Sequence, residues 1–245
     1  MPPNLQSPLL CTEPQRSHDT LRVSAREGYD LWAATYDAEP NPLLALEERG
    51  LRPMLPGLEG KDALDIGCGT GRWLSVLHHL GARSVLGVDS SAAMIVSAAA
   101  KRPLRGRLIR GDGLALPLRA RLADLVVCSF MLGHISSPRE LARELARVSR
   151  PRADLFVTDM HPEAPARGWR CAFRRGDQTV EIRTCIHAAG DIRSSFEAEG
   201  FKFVKSAAFH VGEPERRIFW AARREDIFQA ASAVPAVLIQ HFRRG

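Results

Sequence analysis

The chain lacks paired cysteines. Its five, Cys11, Cys68, Cys128, Cys171 and Cys185, are scattered, odd in number and never in a C-x-x-C pair. That argues against a disulfide framework and against a zinc site, so no metal is expected, and it fits a reducing cytoplasm. No apolar run approaches the roughly eighteen residues that read as a membrane span, so no membrane partner is expected. The start of the chain has prolines and no basic segment ahead of an apolar run. This excludes a secretory signal and makes residues 1–19 a flexible tail. Internal repeats are absent, as is any long Lys/Arg run with interleaved aromatics. The net charge of +6, mostly from arginine, is spread over many segments, which argues against a nucleic-acid partner.

What is present is enough for one domain with a full core, since the chain has 245 residues. Its organising stretch is Ala63-Leu64-Asp65-Ile66-Gly67-Cys68-Gly69-Thr70-Gly71-Arg72. Leu64 and Ile66 read as a buried strand. Three alternating glycines follow, and Trp73, Leu74 and Leu77 then give helical spacing. Glycines permit positive φ and let a ligand approach the backbone, and such a turn aims N–H groups and a helix N-terminus at it. The dinucleotide fingerprint is G-x-G-x-x-G; here the third glycine falls one position early, which counts against a nucleotide-dependent oxidoreductase. A second apolar strand, 84–88, ends in Asp89, about twenty residues on, where a carboxylate can hold ribose hydroxyls. A third, short strand precedes Gly111-Asp112-Gly113, where Asp112 could accept from an adenine amino group.

These residues, with Val88-Asp89, Met94 and Asp124-Leu125-Val126-Val127, resemble the successive motifs of the class I S-adenosylmethionine-dependent methyltransferases. The match covers roughly residues 29–159. The resemblance implies an α/β fold: a Rossmann-like, seven-stranded, mostly parallel sheet with helices on both faces and an antiparallel last strand. It implies S-adenosylmethionine as cofactor, with Gly67, Cys68, Gly69 and Gly71 against its methionine part and Asp65 facing the amino group. Asp89 and Ser90 would hold the ribose, and Met94, Asp112, Gly113 and Leu114 the adenine. Cys128 and Phe130, at the tip of the fourth strand, complete the expected cofactor set. The segment Tyr29-Asp30-Leu31-Trp32-Ala33-Ala34-Thr35-Tyr36-Asp37 is similar to the lid of many small-molecule members, placing Tyr36 near the methionine end and Tyr29 and Trp32 near the acceptor.

The remaining chain divides accordingly. Residues 20–56 form N-terminal lid helices, the first a single helix over 20–36; residues 61–160 form the cofactor-binding half. Residues 150–153 are a turn before the fifth strand. A β-hairpin insertion follows that strand within 161–189, and a helical insertion spans 210–232. After the fourth strand there is no Asn/Asp-Pro-Pro-Tyr/Phe sequence, which argues against methylation of a base or glutamine amino nitrogen. His134 and His161, at two strand ends, are the candidate catalytic groups; each also suits a structural role. Trp169, Arg183 and His187 are candidate acceptor contacts. The expected reaction is methyl transfer to the oxygen, nitrogen or carbon of a small molecule by in-line displacement. An RNA methyltransferase, the oxidoreductase above and a catalytically silent cofactor-binding regulator are the alternatives. A homodimer is left open.

Overall fold

The structure, a computed structural model, describes residues 20–38 and 40–245. The expected tail at 1–19, with Cys11, lies outside the described residues. In chain order the elements begin with β1 (Thr20–Val23), α1 (Ala25–Trp32), α2 (Pro42–Leu51), β2 (Asp62–Ile66), α3 (Arg72–His79), β3 (Ser84–Asp89), α4 (Ala92–Ala100) and β4 (Leu108–Arg110). Then follow β5 (Ala123–Ser129), α5 (Pro138–Val148), β6 (Ser149–Met160), α6 (Glu163–Ala166), β7 (Ala172–Arg175), β8 (Gln178–Ile182) and α7 (Ala189–Ala198). The chain closes with β9 (Phe201–His210), α8 (Glu213–Ala221), α9 (Phe228–Ser232) and β10 (Pro235–Arg244).

Seven strands form the main sheet in the order β4-β3-β2-β5-β6-β10-β9. Its first five strands run parallel, and β10 enters antiparallel between β6 and β9. Strand residues alternate faces. Ala63, Leu125, Val127 and Phe156 pack with Leu43, Leu46 and Leu51 of α2 and Trp73, Leu74 and Leu77 of α3. Leu64, Ile66, Val126 and Leu155 pack on the other side with Leu141, Leu145 and Val148 of α5 and Ile192 and Phe196 of α7. With both faces covered, the free space lies at the carboxyl ends of the parallel strands, where open α/β sheets bind ligands.

Three expectations need correction. The region 20–36 is not one helix: β1 adds in parallel to β8, making a three-stranded sheet β1-β8-β7. Ser24 then caps α1 by accepting from Glu27 N. The edge of the hairpin offers backbone partners that a lone amphipathic helix could not use. Residues 150–153 lie inside β6, where Arg152 adopts φ +66 and the pairing with β5 skips residues; the expected turn is an irregularity within the strand. The second insertion is not one helix either, because α8 ends at Arg223 with φ +55. Phe219 and Phe228, nine residues apart, would point to opposite sides of a continuous helix. The break lets their rings meet at 5.4 Å.

Candidate active site

The glycine turn opens the first of two adjoining cavities. Gly67, Gly69 and Gly71 all have positive φ, of +74, +53 and +81. A Cβ added at Gly69 would meet nothing within 4 Å, whereas one at Gly71 would strike Leu104 Cδ1 at 2.4 Å. Gly69 thus leaves open space beside the backbone for a ligand, while Gly71 lets α3 start close under its neighbours. Asp89, at the tip of β3, accepts from Gly69 N and Ser91 N, both at 2.8 Å. Burial raises its pKa, against the opposing effect of those backbone donors. Asp65, on β2, is 1% exposed and its Oδ1 has no hydrogen-bond partner. Burial pushes its carboxyl up to about 8, while the nearby Arg72 guanidinium opposes the rise.

This cavity, of about 350 Å³, is lined by Asp65, Gly67, Cys68, Gly69, Asp89, Ser90, Met94, Asp112, Gly113 and Leu114 among others. A buried acid with one unpartnered oxygen, an open glycine backbone and a carboxylate at the second strand tip fit the ammonium, the methionine chain and the ribose of S-adenosylmethionine. Asp112 uses Oδ1 to accept from Leu114 N at 3.0 Å, which leaves Oδ2 for a ligand.

The roof comes from α1, α2 and the link between them. Asp30 accepts from Ser91 Oγ at 2.6 Å. Asp37 accepts from Thr70 Oγ1 at 2.7 Å and pairs with Lys101 Nζ at 2.8 Å. Glu47, fully buried on α2, takes hydrogen bonds from Arg72, Trp73 Nε1, Ser129 Oγ and Thr158 Oγ1. These clasps join the roof to the cofactor half, while Arg49 of α2 ties it to Glu215 of α8 at 2.8 Å.

A second, smaller chamber of about 70 Å³ lies beyond the first. Trp32, Leu43, Leu132, Met160, Ile186 and Ile192 make it mainly apolar. Tyr29, Tyr36, Leu44, Phe130 and His134 line both cavities and so form their boundary. Phe130 sits at φ +49, an uncommon conformation for a bulky residue, at the end of β5. At the boundary Tyr29 Oη lies 2.9 Å from His134 Nε2. Burial holds His134 neutral, with its pKa down at about 4; the backbone of Arg183 favours the cation but does not offset burial. Burial also raises Tyr29 and Tyr36, so both remain phenols. Asp159, in the inner chamber, accepts from Gly133 N at 2.6 Å and Met160 N at 2.7 Å, and burial lifts it to about 6.

Not every expected residue comes here. Cys128 is fully buried beneath Met131, its sulfur 3.8 Å from Sδ, and lines neither cavity; it faces the α5 side of the sheet. Trp169 is 4% exposed in the core beside Ala164 and Val237, so it supports the sheet rather than contacting an acceptor. His161 accepts from Glu163 N at 3.3 Å, opening α6 outside both cavities. Arg183 donates its backbone N–H to Val23, and its side chain is exposed. His187 does line the inner chamber, bonded to Ile135 O at 2.9 Å. Sequence reasoning missed Glu47, Arg72, Met131, Asp159 and Cys171. Only Arg72 carried a local signal, directly after the third glycine. The others come together through distant contacts, such as Tyr29 Oη with Cys171 Sγ at 4.0 Å.

The sheet order, the glycine turn and the acid at each of three strand tips are those of the class I S-adenosylmethionine-dependent methyltransferase fold. The methyltransferase-domain family matches the chain over residues 64–157, and this likeness supports an S-adenosylmethionine-dependent methyltransferase. It is 27% identical over 222 residues to an uncharacterized methyltransferase of Emericella nidulans, covering 74% of this chain and 77% of that protein. It is 29% identical over 131 residues to the ubiquinone biosynthesis O-methyltransferase of Pseudomonas aeruginosa, covering 51% of this chain and 53% of that protein. Among solved structures, an S-adenosylmethionine-dependent methyltransferase from Mesorhizobium loti shares the fold. Its TM-score is 0.66 at 23% identity, covering 83% of this chain and all of that one.

Proposed function

We propose that this methyltransferase acts on a small molecule held in the inner chamber, on an oxygen, nitrogen or activated carbon. The observation that carries the reading is the shared boundary: two cavities of unequal size meet at Tyr29, Tyr36, Phe130 and His134. When bound, S-adenosylmethionine supplies an electrophilic methyl on sulfur. The chain's part is to position and to exclude water. The Gly67–Gly71 turn and Asp65 hold the amino-acid end, Asp89 the ribose, and Met94 and Asp112 the adenine. The clasped roof closes over them.

The inner chamber is compact and walled by apolar side chains, which speaks for a small acceptor and against a nucleic acid. No described residue lining it is a lysine or arginine, so an anionic acceptor finds no partner. No helix among the described residues is long and apolar enough to cross a membrane. The described cysteines are all unpaired, which supports a reducing cytoplasm as the setting.

The test joins binding to turnover. Calorimetry with S-adenosylhomocysteine should show tight binding that Asp89→Ala weakens by roughly 1–3 kcal/mol, from unpaired ribose hydroxyls and a loosened Gly69. A screen of small acceptors with labelled cofactor should then find a methylated product. Cofactor binding without transfer to any class of small molecule, alongside transfer to RNA, would overturn the assignment.

A further inference from the structure

We propose that Tyr29 and His134 form a proton relay that draws the hydroxyl proton from an uncharged phenol- or enol-type acceptor, so that methylation falls on oxygen. The proposal rests on the methyl-transfer reading above and specifies its acceptor.

The first argument is position. Of the five side chains at the boundary of the two cavities, only Tyr29, Tyr36 and His134 can exchange a proton. Two of them are joined, Tyr29 Oη to His134 Nε2 at 2.9 Å. Tyr36 meets Tyr29 only edge-on, with ring centroids 6.2 Å apart. The residues in the relay come from α1 and from the turn after β5, 105 positions apart. Packing around them is tight: the rings of Tyr29 and His134 lie 5.2 Å apart at 86°, and Tyr29 stacks near Trp32 at 6.1 Å.

The second argument is direction. His134 Nδ1 is buried and has no hydrogen-bond partner, and the backbone of Arg183 favours a proton on this ring. A neutral imidazole carries one N–H. Placed on Nδ1, that hydrogen leaves Nε2 as the acceptor of the Tyr29 hydroxyl. Tyr29 Oη then keeps a lone pair for a second hydroxyl, and Cys171 Sγ, at 4.0 Å, is too weak a partner to saturate it.

The third argument is charge. In the step, the acceptor O–H bond breaks and its oxygen bonds to the methyl carbon. The carbon–sulfur bond breaks, and its electron pair stays on sulfur. The acceptor's proton passes to Tyr29 Oη as the Tyr29 proton passes to His134 Nε2. One positive charge leaves the sulfur and one forms on the imidazole, so the net charge of the enclosed site is unchanged. This offsets the low basicity that burial imposes on His134 beforehand. The backbone of Arg183 favours the resulting cation.

The fourth argument is the shape of the chamber. At about one water-sized position per ~12 Å³, the inner space suits a group of about one ring. Trp32, lining it, is stacked on Phe173 at 4.7 Å and so held flat. Asp159, the only carboxylate among the described lining residues, already accepts from two backbone N–H groups.

Two measurements test the relay. Nitrogen-15 NMR of the S-adenosylhomocysteine complex reads the tautomer of His134 in the unaltered protein: an Nδ1–H ring is expected, with Nε2 shifted as a hydrogen-bond acceptor. An Nε2–H ring overturns the direction of transfer. The second uses wild type, Tyr29→Phe and His134→Gln against ring-substituted phenols of falling pKa, at one pH. Against the least acidic phenol each variant should lose on the order of 10²–10³-fold in kcat, with S-adenosylhomocysteine affinity kept. The deficit should narrow as the phenol becomes more acidic, because a more acidic hydroxyl needs less help to lose its proton. A deficit uniform across the series means the two side chains only shape the chamber, and the relay fails. Turnover of amines but of no phenol also overturns it, while leaving methyl transfer standing. Failure of the wild type to bind S-adenosylhomocysteine would instead sink the reading beneath it.

Discussion

Asp65 should make cofactor binding release a proton. In the ligand-free protein its carboxyl lies in a buried site with Oδ1 unpartnered, and burial lifts its pKa to about 8. At pH 7 such a group is about nine-tenths protonated. A bound α-ammonium beside it favours the carboxylate and drives the proton off. Binding at pH 7 should therefore release about 0.9 proton, and the affinity should rise about tenfold between pH 6 and 7. The sign follows from linkage: a reaction that releases a proton strengthens as pH rises, here until pH passes about 8, where the free carboxyl is already ionised. Titration calorimetry with S-adenosylhomocysteine in buffers of different ionisation enthalpy counts the protons. Asp65→Asn separates this group from Asp89, which burial also shifts upward. The variant should bind more weakly, release almost no proton and show a nearly flat pH profile. If wild type releases none, or the asparagine variant releases as many, Asp65 does not face the ammonium.

The second and third turn glycines should fail differently. Gly71→Ala forces a methyl against Leu104 at φ +81 and should lower thermal stability by roughly 1–3 kcal/mol. Gly69→Ala costs only about 1 kcal/mol of backbone strain and should instead show its loss in calorimetric cofactor affinity. Glu47→Gln removes the nearer of two counter-charges from the partly exposed Arg72, whose other partner is Glu48 at 3.7 Å, so unfolding should be easier by about 1–3 kcal/mol in denaturant titration. A change within about 0.5 kcal/mol would mean that Glu47 does not anchor the roof. Hydrogen bonds from Arg83, Ser84 and Arg150 hold Asp62 well below the usual carboxylate range. A depressed pKa gives stability that is full above about pH 4 and is lost as pH falls further. Asp62→Asn should flatten that acid limb in denaturant melts taken from pH 5 downward.

The cofactor half could be read along the chain because its chemistry is local. A strand, a positive-φ turn and a helix need their glycines at fixed spacing, and each acid lies within two residues of the end of its own strand. Gly69 and Asp89 illustrate this: each was assigned from its neighbours, and the structure joins them through a 2.8 Å hydrogen bond. The acceptor half resisted because no short pattern encodes it. Tyr29 reaches His134 across 105 positions and Cys171 across 142. Histidine at a strand end suggested His161 after His134, and only the fold shows that His161 opens a short helix and His134 stands between two cavities. Trp169 misled for a related reason: a tryptophan near an insertion suits a pocket wall or a core, and its burial within the main hydrophobic cluster decides for the core.

The error over β1 explains how the acceptor chamber is built. Because β1 pairs with β8 along Thr20–Val23, the roof helix that follows it is continuous with the hairpin sheet, and Val23, Trp32, Phe173 and Ile182 share one small core. The same helix is fixed to the cofactor half through Asp30 and Ser91, and Ser91 N also bonds Asp89. Tyr29 thus lies on an element anchored at one side by the hairpin sheet and at the other by Ser91, which is itself tied to Asp89. A helix free of β8 could leave the sheet without disturbing the hairpin; this one cannot. The geometry between methyl donor and acceptor is therefore set by backbone pairing and by a buried aromatic cluster, both stiffer than the surface ion pairs elsewhere on the chain. That stiffness is what in-line displacement asks of a protein whose chemistry is mainly alignment.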